Sequence, residues 1–325
     1  MINFLKGISY RIRELSGLET YRKRRVYTVH YTVSILNTSS LSQNISVIMP
    51  VPSDMEYQTL AQQPRLHPAN AIITRESMYG NRYAVIDARI APGKTEECSE
   101  SFAIGVIPRV YEFGKKKYLL EDYSEALLQK HEIYLRPDRY SNSEDEDIRN
   151  RAKSIQGEER DVEIIIERIN VYVIETLRYG HPIPGLYSAE EACTKEVVDC
   201  GGFDTLFIAL SRACGIPARI ICGFWAGYSL STMHAWVEIL FPDGEWIAAD
   251  PSIEHLRKKG KRVQSGRLGY IGSDRIAFSI GCDIPIQRGK HTTHVDILQH
   301  PIVIAQEGES SITTRLMVTT RNIPL

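Results

Sequence analysis

From Val26 the chain alternates strictly, with Tyr27, Val29, Tyr31, Val33 and Ile35 on one side and Thr28, His30, Thr32 and Ser34 on the other. That two-residue period marks a half-buried strand. Further strand candidates occupy 44–50, 71–75, 82–91 and 101–112, separated by Pro, Gly, Asn and Ser clusters, a spacing that suits a small antiparallel sheet domain. Over 83–90, Ala84, Ile86, Ala88 and Ile90 alternate with Tyr83, Val85, Asp87 and Arg89, so the first set is expected to face the core. The period then lengthens. Val162, Ile165, Ile166, Ile169, Val173 and Leu177 recur at helical spacing and predict a helix over about 160–178. Ser188 followed by Glu191 fits a capping box, which starts a short helix at Ala189.

The segment from Val197 to Pro251 reads as loop, helix, strand and hairpin. Asp199 is a good N-cap; Phe203, Leu206, Phe207, Leu210 and Ala213 follow at core-facing spacing, Gly215 stops the helix, and Ala218 to Gly223 reads as a strand. His234 to Ile239 alternates, Pro242-Asp243-Gly244 turns, and Glu245 to Asp250 returns before Pro251 stops it. A three-residue loop pairs Phe241 with Glu245 and Trp236 with Asp250, making His234 and Asp250 diagonal neighbours on one face. A two-residue turn would put them on opposite faces.

Length and composition narrow the class without naming a partner. The chain has 325 residues, 43% hydrophobic and 24% charged, so burial alone can hold one large or two ordinary domains. Lys+Arg 39 against Asp+Glu 40 leaves no global field for nucleic acid or acidic membrane. No apolar run spans a bilayer and the start lacks a secretory pattern, so a cytoplasmic protein is expected, with six free thiols rather than a disulfide framework. The N-terminal pattern of Phe4, Leu5, Ile8 and Ile12 with the basic cluster Arg22 to Arg25 reads as a solvated lead-in. Lys115 to Lys117 and the acidic run Glu144 to Asp147 read as solvated connectors, and the basic stretch His255 to Arg262 as a solvated loop. His291 and His294 with Asp296 have metal-ligand residue types, but strand parity turns the two histidines to opposite sides, and no metal or other cofactor is expected.

Cys200, opening a buried helix, sits against unsatisfied N–H groups and a positive dipole end. This favours thiolate and can lower a cysteine pKa to roughly 3.5–7.5 when a cation assists. The same N–H groups can stabilise an oxyanion, and Gly201 and Gly202 are expected to leave room for substrate backbone. Acyl chemistry on sulfur needs an imidazole to take and return the proton and a carboxylate to orient it. The candidates are Cys200, His234 and Asp250. Cys193, Cys214 and Cys222 read as packing residues.

The segments Val198-Asp199-Cys200-Gly201-Gly202-Phe203, Cys214-Gly215-Ile216-Pro217-Ala218-Arg219, His234-Ala235-Trp236-Val237-Glu238 and Ala249-Asp250-Pro251-Ser252 together resemble the transglutaminase-like superfamily, of papain-like fold. Arg178-Tyr179, Ser188 to Glu191 and Gly272 to Asp283 extend the likeness, and the first hundred residues look like the β-rich region some prokaryotic members carry. The resemblance implies an α+β fold: a β-rich domain over 1–115, then a catalytic domain over 116–325, its core at about 160–285, followed by C-terminal strands. It carries the family's nucleophile, base and orienting acid onto Cys200, His234 and Asp250. Tyr179 becomes a candidate for the oxyanion site, and Trp225 and Trp236 for the substrate groove. Animal transglutaminases have Gln before and Trp after the cysteine, where this chain has Asp199 and Gly201. The implied activity is cleavage or transfer of an amide-linked acyl group of a peptide or protein substrate, without a cofactor. Two other readings stand beside it: a non-catalytic scaffold binding through the β domain, and an arylamine acetyltransferase-like acyl carrier, which would want Arg-Gly-Gly ahead of the cysteine.

Overall fold

The computed structural model describes residues 23–69, 71–228, 231–261, 264–305 and 312–323. The N-terminal pattern through Arg22, and Arg262 of the basic stretch, lie outside these residues. The chain begins with β1 (Arg25–Asn37), β2 (Gln43–Val51), β3 (Gln58–His67), β4 (Ile72–Arg75), β5 (Arg82–Ile90), β6 (Thr95–Val106) and β7 (Arg109–Val110). Helices then enter: α1 (Glu125–Lys130), α2 (Glu146–Gln156), α3 (Val162–Thr176), β8 (Arg178–Tyr179), α4 (Ala189–Lys195), β9 (Val197–Val198) and α5 (Cys200–Ala213). They are followed by β10 (Ala218–Trp225), β11 (Met233–Leu240), β12 (Trp246–Ala249), α6 (Pro251–Lys258) and β13 (Tyr270–Ile271). The last strands are β14 (Arg275–Ile280), β15 (Ile284–Arg288), β16 (His291–Val295), β17 (Ile302–Ala305) and β18 (Ile312–Ile323).

Two compact units result. One gathers Ile107–Ile221 and His234–Asp274; the other gathers Arg25–Val106, Cys222–Met233 and Arg275–Leu325. The single cut expected at 115/116 is thus replaced by an interleaved division, because β18 pairs antiparallel with β1 and β17 with β2. Such pairings between distant segments leave no trace in the local pattern.

The β-rich unit stacks two four-stranded sheets, ordered β18-β1-β6-β3 and β17-β2-β5-β4. Tyr27, Val29, Tyr31, Val33 and Ile35 are buried as the alternation requires. Tyr31 and Phe102 close edge-on to Phe278 at 5.6 and 5.9 Å, geometry favoured by ring quadrupoles. On β5 the expected side is buried at Ala84, Ile86 and Ile90, but Tyr83 is buried too, because Ile284 and Ile286 cover the second face. The expected strand over 101–112 divides at Ile107-Pro108, where proline cannot donate to a ladder. β3 has no counterpart among the expected strands: it is a largely exposed strand bonded to β6, with register shifts at Leu60/Gln62 and Gln62/Arg65, and Gln58, Leu60 and Leu66 are its inward residues in an otherwise polar sequence.

The other unit is built around α5, buried along its length from Gly201 to Arg212. Asp161 caps α3, Ser188 and Glu191 form the expected box on α4, and Gly215 at φ +80° ends the turn after α5. Two expected loops are helices. The acidic run opens α2, because Asp145 accepts from the N–H groups of Asp147 and Ile148. The basic stretch begins within α6, where His255 is buried and its Nδ1 donates to Ile174 O at 2.7 Å. An Asp-Pro pair, read as a strand stop, is there also an N-cap followed by proline at the first helical position.

Candidate active site

Three elements deliver the candidate residues. α5 starts at Cys200, capped by Asp199 Oδ1, which accepts from Gly202 N at 3.4 Å. The Ala235 N–H, directly after His234 on β11, acts on the Cys200 sulfur and draws its thiol pKa down. The hairpin takes the three-residue loop: Gly244 N donates to Phe241 O and Phe241 N to Glu245 O, both at 2.9 Å, and Val237 pairs with Ala249. That register puts His234 and Asp250 on one face, as expected, and His234 Nε2 and Asp250 Oδ2 stand 2.7 Å apart. Both are buried.

Asp250 is held from its other side. Its Oδ1 accepts from Ile253 N and Ser252 Oγ, each at 3.0 Å, so the residue facing His234 is also the N-cap of α6. The carboxylate cannot rotate away without uncapping a helix. Beyond Trp236 on the same strand, Glu238 is fully buried between Arg109 and Arg219, with Arg219 Nη2 at 2.6 Å. The Arg219 guanidinium lies 3.7 Å from the Trp246 ring centroid, fastening β10, β11 and β12 below the imidazole.

The electrostatics differ from the sequence expectation. Burial first, then the Asp204 and Asp199 carboxylates, push the Cys200 thiol pKa up, while the Ala235 N–H pulls it down. Asp204 lies one turn along the same helix, fully buried. Burial and the two carboxylates thus oppose the helix start in setting the charge on the sulfur. Gly201 and Gly202 also serve otherwise than expected. A Cβ on Gly201 would lie 2.5 Å from Leu186 Cδ1, and one on Gly202 would lie 2.6 Å from Val198 Cβ. The chain itself fills the space expected for substrate.

Tyr179 is 41% exposed, and its ring lies 6.4 Å from that of Phe203. Its hydroxyl is pushed above the usual phenol range by burial first and then by Cys200, so it lies in the field of the sulfur. Trp236 is fully buried, its ring stacked 6.3 Å from His234. Trp225 belongs to the β-rich unit, buried beneath the Arg275 guanidinium at 4.4 Å. Of the three aromatic candidates, Tyr179 presents surface. Sequence reading missed Ser252 and the Ala235 N–H; a Ser two residues past an N-cap Asp is the available signal for the first.

All six cysteines are thiols. Among the described residues no group of three or more His, Cys, Asp or Glu side chains is placed to hold a metal ion. His294 Nδ1 instead lies 3.2 Å from Asp283 Oδ1. No helix of the described residues is long and apolar enough to cross a membrane.

Residues 149–251 match the family model of the transglutaminase-like superfamily. A solved structure from Cytophaga hutchinsonii, provisionally named a cysteine protease, aligns with a TM-score of 0.62 at 17% identity, over 93% of this chain and 92% of that one. The periplasmic domain of TgpA from Pseudomonas aeruginosa aligns with a TM-score of 0.38 at 12% identity, over 76% of this chain and 96% of that one. No curated protein matches the chain.

Proposed function

We propose, on the premise that this chain belongs to the transglutaminase-like superfamily through residues 149–251, that it is a thiol-dependent acyl hydrolase or acyltransferase acting on amide bonds of a peptide or protein. The observation that carries this is the buried 2.7 Å contact of His234 Nε2 with Asp250, on the strand whose next N–H, that of Ala235, acts on the Cys200 sulfur at the start of α5. Because Nε2 faces the carboxylate, Nδ1 is the ring atom that exchanges a proton with sulfur.

In the reaction Cys200 Sγ attacks the acyl carbon as its proton passes to His234. The C–N bond breaks, and the amine leaves with that proton. Water or a second amine then attacks the thioester, gives its proton to His234, and the sulfur is released and reprotonated. Asp250 stabilises the imidazolium and fixes its orientation. The α5 N–H groups, with Tyr179 at the rim, are the candidate donors to the oxyanion. Hydrolase and transferase share the thioester, so the acceptor decides between them.

The test is iodoacetamide labelling against pH with mass-spectrometric site mapping, on the native chain and on His234→Ala. Cys200 should label near neutral pH in the native chain. It should shift to alkaline pH in the variant, where the sulfur stands alone under burial and two carboxylates. Equal profiles in both would overturn the proposal. A glutamine peptide with and without a primary amine then separates ammonia release by water from amine incorporation.

A further inference from the structure

Segment 178–187 is fastened to the start of α5 by a ladder whose last rung is a side chain. Arg178 N donates to Glu196 O at 2.7 Å and Gly180 N to Val198 O at 2.9 Å. In a parallel ladder the next donor would be residue 182, which is a proline without an N–H. The backbone turns instead at His181, with φ +47°, and Ile183 N donates to Asp199 Oδ2 at 3.2 Å. Oδ1 of the same carboxylate caps α5. Tyr187 Oη donates to His181 O at 2.8 Å, closing the loop on itself.

Both ends of this loop flank the sulfur. Tyr179 lies in the field of Cys200, and Leu186 fills the space above Gly201. Between them Pro182, Ile183 and Pro184 are exposed, so this loop offers a run of apolar side chains to solvent, with His181 exposed ahead of it. Among the described residues the hydrogen bonds that fix this loop to the helix start go to Glu196, Val198 and Asp199, and Asp199 is the residue next to Cys200 in the chain.

We propose that Asp199 is a positioning residue that holds loop 180–187 beside Cys200 as an apolar wall for the acyl group, favouring an aliphatic or aromatic substrate side chain. The inference rests on the thiol acyl-transfer reading. Asn and Ser cap helices about as well as Asp, so Asp199→Asn and Asp199→Ser keep α5. Ser is too short to reach Ile183, and Asn can offer an acceptor to only one of the two N–H groups.

Two probes test the wall without knowledge of the natural substrate: tosylphenylalanyl chloromethyl ketone, whose phenyl group needs it, and iodoacetamide, which does not. In both variants the half-saturation concentration of the ketone for Cys200 should rise about tenfold with little change in the limiting rate, and exchange of the Ile183 amide should rise roughly 10- to 150-fold, the factor for losing one hydrogen bond to a carboxylate. Iodoacetamide labelling of Cys200 should not slow, since removing a nearby negative charge favours thiolate. Melting midpoints close to the native value would show the helix intact. An unchanged half-saturation concentration, or an Ile183 amide exchanging at the native rate, would overturn the inference. Failure of the underlying reading shows separately, as equal iodoacetamide profiles in the native chain and His234→Ala.

Discussion

Asp250→Asn separates the two jobs of one carboxylate. Its Oδ1 accepts two hydrogen bonds at 3.0 Å that cap α6, and an amide oxygen can keep both. Its Oδ2 faces His234 Nε2 at 2.7 Å, and an amide NH2 there can only donate. Nε2 must then be unprotonated, which moves the ring proton to Nδ1 and removes the base from the sulfur. Losing a hydrogen bond to a charged partner costs about 1.5–3 kcal/mol, so Cys200 alkylation at neutral pH should fall roughly 10- to 150-fold. The unfolding free energy should stay within about 1 kcal/mol of native, because the cap survives. Asp250→Ala loses the cap and leaves buried donors unmatched, an expected cost of about 2–4 kcal/mol. The assay pairs site-mapped alkylation over pH 5–10 with urea unfolding followed by circular dichroism. A native alkylation profile in Asp250→Asn would refute the coupling of carboxylate to sulfur. Equal destabilisation of the two variants would refute the division of its oxygens.

Other outcomes follow from the same geometry. Burial pushes the Cys98 thiol up to about 11 and the Cys214 thiol up to about 12, so both should resist alkylation below pH 9 in the native state and react at once in urea. Glu100 is buried with neither oxygen hydrogen-bonded among the described residues, and burial raises its pKa well above the usual carboxylate value. With the folded pKa above the unfolded one, stability is full in acid and declines as pH rises, so Glu100→Gln should stabilise the chain at neutral pH and lose that advantage in acid, as read from melting midpoints. Glu238→Ala leaves Arg109 and Arg219 facing each other without their carboxylate and should cost about 3–5 kcal/mol in urea unfolding. Gly202→Ala forces a methyl group to 2.6 Å from the Val198 side chain and should cost about 1–3 kcal/mol in the same assay.

The site was legible because its parts are local. A cap, a buried helix and a Gly-Pro stop place Cys200, and one turn length sets the register that brings His234 beside Asp250. What stayed hidden depends on partners distant in sequence. The space at Gly201 belongs to Leu186, and the thiol is raised first by burial, with Asp204 and Asp199 adding to it. Likewise the inward side of β3 carries little more than Gln58, Leu60 and Leu66, and the second face of β5 is covered by residues some two hundred positions away. The hydrophobic period reports that a face is covered; it does not report by what.

The twelve-rung pairing of β1 with β18 has a consequence for how the molecule is made. One of the first strands to leave the ribosome finds the neighbour on its outer side only after residue 323 has been added. The unit around α5 has its segments Ile107–Ile221 and His234–Asp274 in hand well before then. Synthesis should therefore leave a long strand margin uncovered for most of translation, which selects for a chaperone or for quick completion. A chain stopped between 281 and 311 would keep β14 and the residues proposed for chemistry and display that margin permanently, making it prone to clump while still alkylating at Cys200.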